Sequence, residues 1–207
     1  MTDVTYTTTV IDCVTISIED EVTWWTPQQV YDQLTAQAPD LSYLQAHKFQ
    51  LFLHVRSDPV CCGPGHTMYV RPFTPTPCNA GGNYTTCTLV SVITLQANPA
   101  RCIFSYGCTG GSSQWPEKVV AHEFGHAWID YFRLKYHGGS YADYIAQRNL
   151  EPGSYAESHP QEAAAEDYRI CFGTPAAVGP GIPDPQGAAP PTPAQCSYLA
   201  DTWRVLT

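Results

Sequence analysis

Residues 115–128 read WPEKVVAHEFGHAW and carry the most specific motif in the chain. Pro116 stands where a helix accepts proline and apolar residues follow at helical spacing, so the stretch predicts an α-helix. Residues four apart share one face of such a helix, so His122 and His126 can direct ring nitrogens at one metal ion. Glu123 lies beside them, close enough to hold a water molecule without being a ligand. With seven His and eight Glu in 207 residues, composition alone gives about 0.01 matches to HExxH, so the motif predicts a zinc site.

A catalytic zinc site needs a third protein ligand and one open position for water. Residues 158–169, SHPQEAAAEDYR, predict a second helix, with Ser158 and Gln161 as a capping box at its start and alanines as strong helix formers. Glu162 and Glu166 then share one face of this helix. One of them can bind zinc while the other accepts a hydrogen bond from a ligand histidine, and the spacing alone leaves both assignments open.

Together these motifs resemble the gluzincin zinc peptidases, in particular the group that contains anthrax lethal factor and the Pro-Pro endopeptidases. The resemblance rests on HEFGHAW at 122–128 and on an E-x-x-A-E-D-Y-R context that begins 36 residues after the second histidine, and it covers about residues 116–172. It implies a zinc-dependent endopeptidase in which Glu162 is the third ligand and Glu166 hydrogen-bonds a ligand histidine. It also implies that Tyr155, seven positions before that ligand, donates to the developing oxyanion.

The expected reaction is hydrolysis of a peptide bond by a metal-activated water, with Glu123 as general base. Asp130, four residues after His126, either orients a histidine or faces solvent. His137 and His159 are interpreted as non-ligands, and of the two it is His159 that is expected to touch the substrate.

Two other functions stay open. One is a virion or secreted binding or structural protein that retains the zinc site, and the other is a zinc amidase that acts on cell-wall peptides. Glu123 and Tyr155 favour an enzyme, because a structural zinc site needs neither residue and more often closes its fourth position with another ligand.

The rest of the chain predicts an α+β fold of the zincin type. In this fold a twisted, mostly antiparallel sheet packs on the active-site helix, and a second helix carries the glutamate. Residues 4–18 predict one strand or two short ones with a kink near 12–13, and Thr26 followed by proline predicts a helix start. Alternating apolar residues predict strands at 48–56 and 88–96, and the second of these is the expected edge strand for an extended substrate.

Nine cysteines without a CxxC pair predict disulfides rather than a cysteine-based zinc site. Three or four bridges are expected, and the odd count leaves one thiol over. Residues 57–87 carry five prolines and four cysteines, which predicts a long stapled loop rather than a regular element. Cys171 and Cys196 flank a second proline-rich stretch and are a candidate pair.

The expected organisation is a metallopeptidase domain over 1–173, followed by a Pro/Ala-rich extended tail and a short C-terminal element over 174–207 that pack on the same domain. Seven prolines between 174 and 195 predict the extended conformation of that tail.

The amino-acid composition limits the kinds of partner that the protein is expected to bind. The net charge of -9 argues against nucleic acid, and no apolar run is long enough to span a membrane. A peptide or protein substrate is the expected partner, and the oligomeric state stays open. The cysteines predict an extracellular or otherwise oxidising location, as a secreted or virion protein, although no signal peptide is visible in this chain.

Overall fold

The computed structural model describes residues 5–12, 14–20, 22, 26–46, 49–56, 65–76, 87–96, 115–178 and 188–204. The strands are β1 (Tyr6–Ile11), β2 (Val14–Glu19), β3 (Phe49–Arg56), β4 (Gly65–Thr76) and β5 (Cys87–Gln96). The helices are α1 (Pro27–Gln37), α2 (Leu41–Ala46), α3 (Trp115–Tyr136), α4 (Ala142–Arg148), α5 (Tyr155–Ser158), α6 (Pro160–Phe172), α7 (Pro175–Val178) and α8 (Pro193–Tyr198), and α8 continues into a π-helical turn over Leu199–Trp203. A sheet combined with helices makes this an α+β protein.

The N-terminal elements confirm the sequence predictions. β1 and β2 form an antiparallel hairpin, and Asp12 takes a left-handed conformation (φ 44°) between them, where the kink was expected. The hydroxyl of Tyr31 on α1 donates to Asp12 at 2.9 Å and ties the hairpin to that helix. α1 begins with Pro27 behind Thr26, whose side chain and Gln29 form a capping box. These local signals are strong because each satisfies backbone groups at a helix end.

The sheet is mixed rather than mostly antiparallel, which corrects the prediction. Its strand order is β1-β2-β3-β5-β4; the two outer pairs are antiparallel, and β2-β3 and β3-β5 are parallel. α1 and α2 form a helical crossover between β2 and β3, which is the connection that parallel strands require. β5 then returns antiparallel to β4 and lies beside β3.

Two predictions change with this topology. Residues 65–76, expected to lie within a stapled loop, form strand β4, and β5 is an inner strand because β4 lies at that edge of the sheet. An edge strand tolerates prolines such as Pro72 and Pro75 because one side of its backbone needs no ladder partner, so proline content misled the prediction. The expected staples at 57–64 and 77–86 lie outside the described residues.

Helix α3 runs through the core. It contacts β4, β5, α1, α6 and α7, and its residues from Val120 to Phe132 are almost all buried. Phe124, Trp128 and Phe132, spaced four apart, are each fully buried. A helix that is apolar nearly all round is an interior helix, so the histidines of α3 start from a rigid position.

Helix α6 packs against α3 and is fixed by a buried ion pair. Asp167 is 2% exposed and accepts from Arg148 Nε at 2.5 Å and from the Tyr144 hydroxyl at 2.9 Å. Removing one partner of such a pair leaves an uncompensated buried charge, at a cost of about 3–5 kcal/mol. The pair therefore locks α6 to α4.

The C-terminal segment is tied to the same core. A disulfide joins Cys171 at the end of α6 to Cys196 on α8, as the sequence predicted, and Trp203 is fully buried. Arg204 donates two hydrogen bonds to Asp40, at 2.8 and 2.7 Å, across 164 residues of sequence. The remaining seven cysteine side chains lie outside the described residues.

The proline-rich tail is not extended throughout, which corrects that prediction. α7 and α8 each begin with proline, and Thr192 caps α8 with a capping box to Gln195. Proline at the first helical position is favourable because its missing N–H would have had no partner there. A run of prolines thus marks two helix starts here.

None of the helices in the described ranges is long and apolar enough to cross a bilayer. The Cys171–Cys196 disulfide fits an oxidising environment, because cytosolic thiols are kept reduced.

Candidate metal centre

Helix α3 presents two histidines one turn apart. The rings of His122 and His126 lie 4.9 Å apart between centroids and are nearly perpendicular, and their side chains are 16% and 10% exposed. Glu123 follows the first histidine and is 6% exposed. The HExxH residues thus form a mostly buried cluster on an interior helix.

Helix α6 brings a carboxylate to both rings. Glu162 Oε2 lies 3.5 Å from His122 Nε2 and 3.3 Å from His126 Nε2. The three ligand atoms lie within 4.8 Å of one another, and the Glu162 side chain is 30% exposed. Two imidazole nitrogens and one carboxylate oxygen match the donor set of a catalytic zinc site, and the exposed side leaves room for water.

The other ring nitrogen of His122 has a partner of its own. Its Nδ1 lies 3.0 Å from Glu166 Oε2, so the ring is held with Nε2 directed at Glu162. A carboxylate on the second nitrogen fixes the tautomer of a ligand histidine. The two glutamates, which the spacing left equivalent, therefore differ in geometry: Glu162 faces both Nε2 atoms and Glu166 faces Nδ1.

His122, Glu162 and Glu166 shift one another's pKa values. Burial alone would lower the pKa of His122, but hydrogen bonds to Glu162 and Glu166 raise it to about 10. Burial would raise the pKa of Glu162, but hydrogen bonds from His122 and His126 hold it well below its usual range. For Glu166, hydrogen bonds from Arg169 and His122 likewise outweigh burial and lower the pKa. Without a cation, a proton on His122 therefore balances the carboxylates.

Two buried cations near Glu166 were missed by the sequence analysis. Arg169 is 4% exposed and donates to both carboxylate oxygens of Glu166, at 2.9 and 2.5 Å. Lys118 is 8% exposed and interacts electrostatically with both residues. The available signal was helical spacing, since Lys118 is four residues before His122 and Arg169 three after Glu166.

Gly125 was also missed. A Cβ at this position would lie 2.7 Å from the carbonyl oxygen and 3.0 Å from the Cα of Ala165 on α6. Only glycine allows the two helices to approach this closely. The signal was a glycine in the middle of a helix, which costs about 1 kcal/mol against alanine and so calls for a packing reason.

The structure places Tyr155 at the start of α5, with 52% of its surface exposed. Its ring stacks on His159 at 4.0 Å between centroids and 13° between planes. Among the described residues, no hydrogen bond joins its hydroxyl to the candidate ligands. The predicted capping box at Ser158 is wrong: Ser158 ends α5, His159 precedes α6, and Pro160 starts α6 without a side-chain cap.

His137 and Asp130 are the two remaining residues that the sequence analysis considered. His137 lies against Trp203, with the rings 3.9 Å apart, and its Nε2 lies 3.2 Å from the Thr202 carbonyl oxygen, so it belongs to the C-terminal contact. Asp130 is part of α3, but its side chain lies outside the described residues.

No protein-family model, curated protein or solved structure matches this chain.

Proposed function

We propose that this protein is a zinc-dependent endopeptidase of the gluzincin type. One observation carries the proposal: Nε2 of His122, Nε2 of His126 and Oε2 of Glu162 converge from two helices, while Glu166 holds the remaining nitrogen of His122. His126 and Glu162 are 36 residues apart in sequence, so the fold brings them together. This convergence, with an oriented histidine, is the arrangement that a metal site requires.

Zinc is the cation that this donor set suits. His122, His126 and Glu162 would hold it, and a bound zinc ion would supply Lewis-acid polarisation of the scissile carbonyl and make water more acidic. The chemistry of the ligands supports this choice, because two imidazoles and one carboxylate leave a fourth position for substrate or water.

Glu123 is the general base. It is buried beside the histidine pair, so it can accept a proton from the attacking water and pass it to the leaving amine. A carboxylate in this sheltered position reacts without first losing a full hydration shell.

Tyr155 is assigned the hydrogen bond to the oxyanion. Its place seven residues before Glu162 supports the assignment through the resemblance to gluzincins. Its exposed phenol is open to substrate, and a hydrogen bond formed mainly in the transition state raises the rate most.

The substrate lies extended along β4. This strand ends the sheet and contacts α3, the helix that carries the histidines. Its outer backbone edge can pair with a peptide by adding a strand to the sheet, which positions the scissile bond by main-chain hydrogen bonds. The protein works outside the reducing cytosol, as a secreted or virion enzyme, where its disulfide persists.

The proposal is tested with the oxidised full-length chain on a proteome-derived peptide library. Glu123→Gln should keep one equivalent of zinc and lose cleavage by about 10²- to 10⁴-fold, because the base is removed while the ligands stay. Glu151→Gln, on an exposed glutamate that is not among the candidate site residues, should cleave normally. A chelator should abolish cleavage and added zinc should restore it.

Two outcomes would overturn the mechanism or the reaction. If Glu123→Gln cleaves as well as the wild type, Glu123 is not the base. If zinc-loaded wild type leaves the peptide library intact, the endopeptidase proposal fails. Cleavage of peptidoglycan fragments would then identify a cell-wall amidase, and inertness towards both substrates would identify a structural site.

A further inference from the structure

Arg169 lies beside Glu166, the carboxylate that contacts the candidate ligand His122. It is 4% exposed, and all three of its guanidinium nitrogens have partners. Nε and Nη2 donate to the two oxygens of Glu166, and Nη1 donates to the carbonyl oxygen of Ala177 on α7. A buried arginine with every nitrogen engaged is fixed in position.

The pair of hydrogen bonds from Nε and Nη2, called the fork below, fixes the orientation of the Glu166 carboxylate. Bidentate donation holds the plane of a carboxylate more firmly than one hydrogen bond does. Glu166 Oε2, which accepts from Arg169 Nε, is also the oxygen that lies 3.0 Å from His122 Nδ1. The carboxylate therefore transmits the position of the guanidinium to the histidine ring.

The anchor for Arg169 comes from the turn after α6. Gly173 ends that helix, and a Cβ there would lie 2.3 Å from the Arg169 carbonyl oxygen. The turn brings Ala177 back over α6, where its carbonyl receives the guanidinium. The contacts thus run from Ala177 through Arg169 and Glu166 to His122.

Lys118 shows why charge alone does not replace this fork. It is buried near Glu166 and interacts with it electrostatically, so it supplies positive charge. A lysine ammonium is a point charge on a flexible stem, however, and it does not fix the plane of a carboxylate. Arg169 contributes the direction that Lys118 lacks.

We propose that Arg169 is a positioning residue for the metal centre: it holds Glu166 in the orientation that accepts from His122 Nδ1, and thereby tightens zinc binding. This rests on the proposed function for the identity of the cation. It assigns to Arg169 a role in metal affinity, distinct from general stabilisation of α6.

The test is a double-mutant cycle with zinc affinity as the readout, measured by competition with a chromophoric chelator. Arg169→Met should weaken zinc binding by about 10- to 100-fold, the usual effect of losing a group that orients a ligand. The double variant with Glu166→Gln should bind zinc as tightly as whichever single variant has the lower affinity, because Arg169 acts through Glu166. Multiplying effects would show independent action and overturn the proposal.

Arg148→Met is the matched control. It removes a second buried arginine paired with a carboxylate of α6, and the hydrogen bonds that its partner Asp167 accepts come from Arg148 and Tyr144, which are outside the candidate ligand set. The folded control should bind zinc within about twofold of wild type, as expected where only stability is lost. If Arg169→Met and Arg148→Met weaken zinc binding equally, Arg169 has only a structural role.

If Arg169→Met does not fold, Arg169→Lys is the variant that tests the proposal. It retains the buried charge but loses the fork, so zinc binding should still weaken by about tenfold. Affinity equal to wild type would overturn the proposal, because charge would then suffice. Wild type that binds no zinc overturns this inference and the proposed function together, whereas zinc binding without hydrolysis overturns only the proposed function.

Discussion

The two nitrogens of His122 have different tasks. Nε2 faces Glu162, at 3.5 Å, and Nδ1 faces Glu166, at 3.0 Å. A ring held between two carboxylates cannot turn without losing one of them. In the metal-free protein the same two carboxylates keep a proton on the ring, so a cation and a proton compete for this residue.

Zinc binding should therefore release protons at neutral pH. The pKa of His122 in the metal-free protein is raised to about 10, above the solution pH, so the ring is charged at pH 7 and must lose a proton to become a ligand. About one proton per zinc is expected, and the affinity should rise roughly tenfold per pH unit below that pKa. Calorimetric titration in two buffers of different ionisation enthalpy measures the number directly.

A wild-type titration that gives the same heat in both buffers would contradict this expectation. Glu166→Gln is the informative companion, because it removes one of the two carboxylates that hold the proton. It should release fewer protons than wild type at pH 7.

Among the elements, two helices rather than one motif make up the candidate metal centre. α3 supplies the histidines and α6 the carboxylates, and they meet where Gly125 lies against the backbone of Ala165. Close packing between helices leaves little freedom to adjust, so a small change at this contact moves Glu162 relative to the rings.

Gly125→Ala should weaken zinc binding although alanine is the better helix former. The gain in helix propensity is about 1 kcal/mol, but the new Cβ would overlap backbone atoms, and overpacking of this kind costs about 1–3 kcal/mol. We expect lower thermal stability and at least a tenfold loss of zinc affinity, since ligand geometry is disturbed. Circular dichroism melting and chelator competition measure the two effects.

The control is Ala146→Gly on the exposed face of α4. It should cost about 1 kcal/mol of stability through helix propensity and leave zinc affinity unchanged. If Gly125→Ala and this control behave alike, the close approach of the two helices does not set the metal geometry.

Elements with local signals were predictable from the sequence, and those set by tertiary context were not. The helix start at Thr26 and Pro27 and the alternation in β3 and β5 each depend on a few neighbouring residues, and both predictions are confirmed. β4 was missed because its prolines are compatible with a strand only at an edge, and edge position is a property of the sheet. Ser158 failed as a cap because α5 already includes it.

The same distinction between local signals and tertiary context applies to the candidate site. HExxH and ExxxE are short patterns whose meaning follows from helical spacing, so His122, His126, Glu162 and Glu166 were all proposed from the sequence. Arg169 was not, because a charged residue after ExxxE usually faces solvent, whereas here the side chain is buried and donates to the Ala177 carbonyl oxygen of α7.

At the scale of the whole molecule, the C-terminal segment closes the structure over α6. The Cys171–Cys196 bridge joins it to the last turn of α6, and Arg148 reaches the Ala189 carbonyl oxygen at 2.8 Å. Arg204 pairs with Asp40 on the far side. No local pattern in the sequence predicts the Arg204–Asp40 pair, because the two residues lie 164 residues apart.

Replacing both bridged cysteines by serine should lower the free energy of unfolding without removing the metal site. The bridge spans 25 residues of sequence, and restricting a loop of that size in the unfolded chain stabilises the fold by about 3 kcal/mol. The polar contacts of Arg148 and Arg204 stay in place, so zinc affinity of the folded protein should change by less than about twofold. Urea denaturation and chelator competition are the measurements.

Ala194→Ser, an exposed change on α8, is the control and should unfold like wild type. Equal unfolding free energies for the double serine variant and wild type would show that the bridge does not constrain the unfolded chain. A large loss of zinc affinity in the folded variant would show instead that the bridge acts on the site itself.

The tie between Arg204 and Asp40 also bears on how the protein is made. Translation produces the histidines of α3 before the glutamates of α6, and produces residues 188–204 after both. Until α6 has been made, His122 and His126 lack Glu162 as a partner, and until residues 188–204 follow, α6 lacks its contacts with the C-terminal segment. Because the glutamates of α6 and then residues 188–204 are made only after α3, the candidate ligand set and the contacts that close over it are complete only late in synthesis.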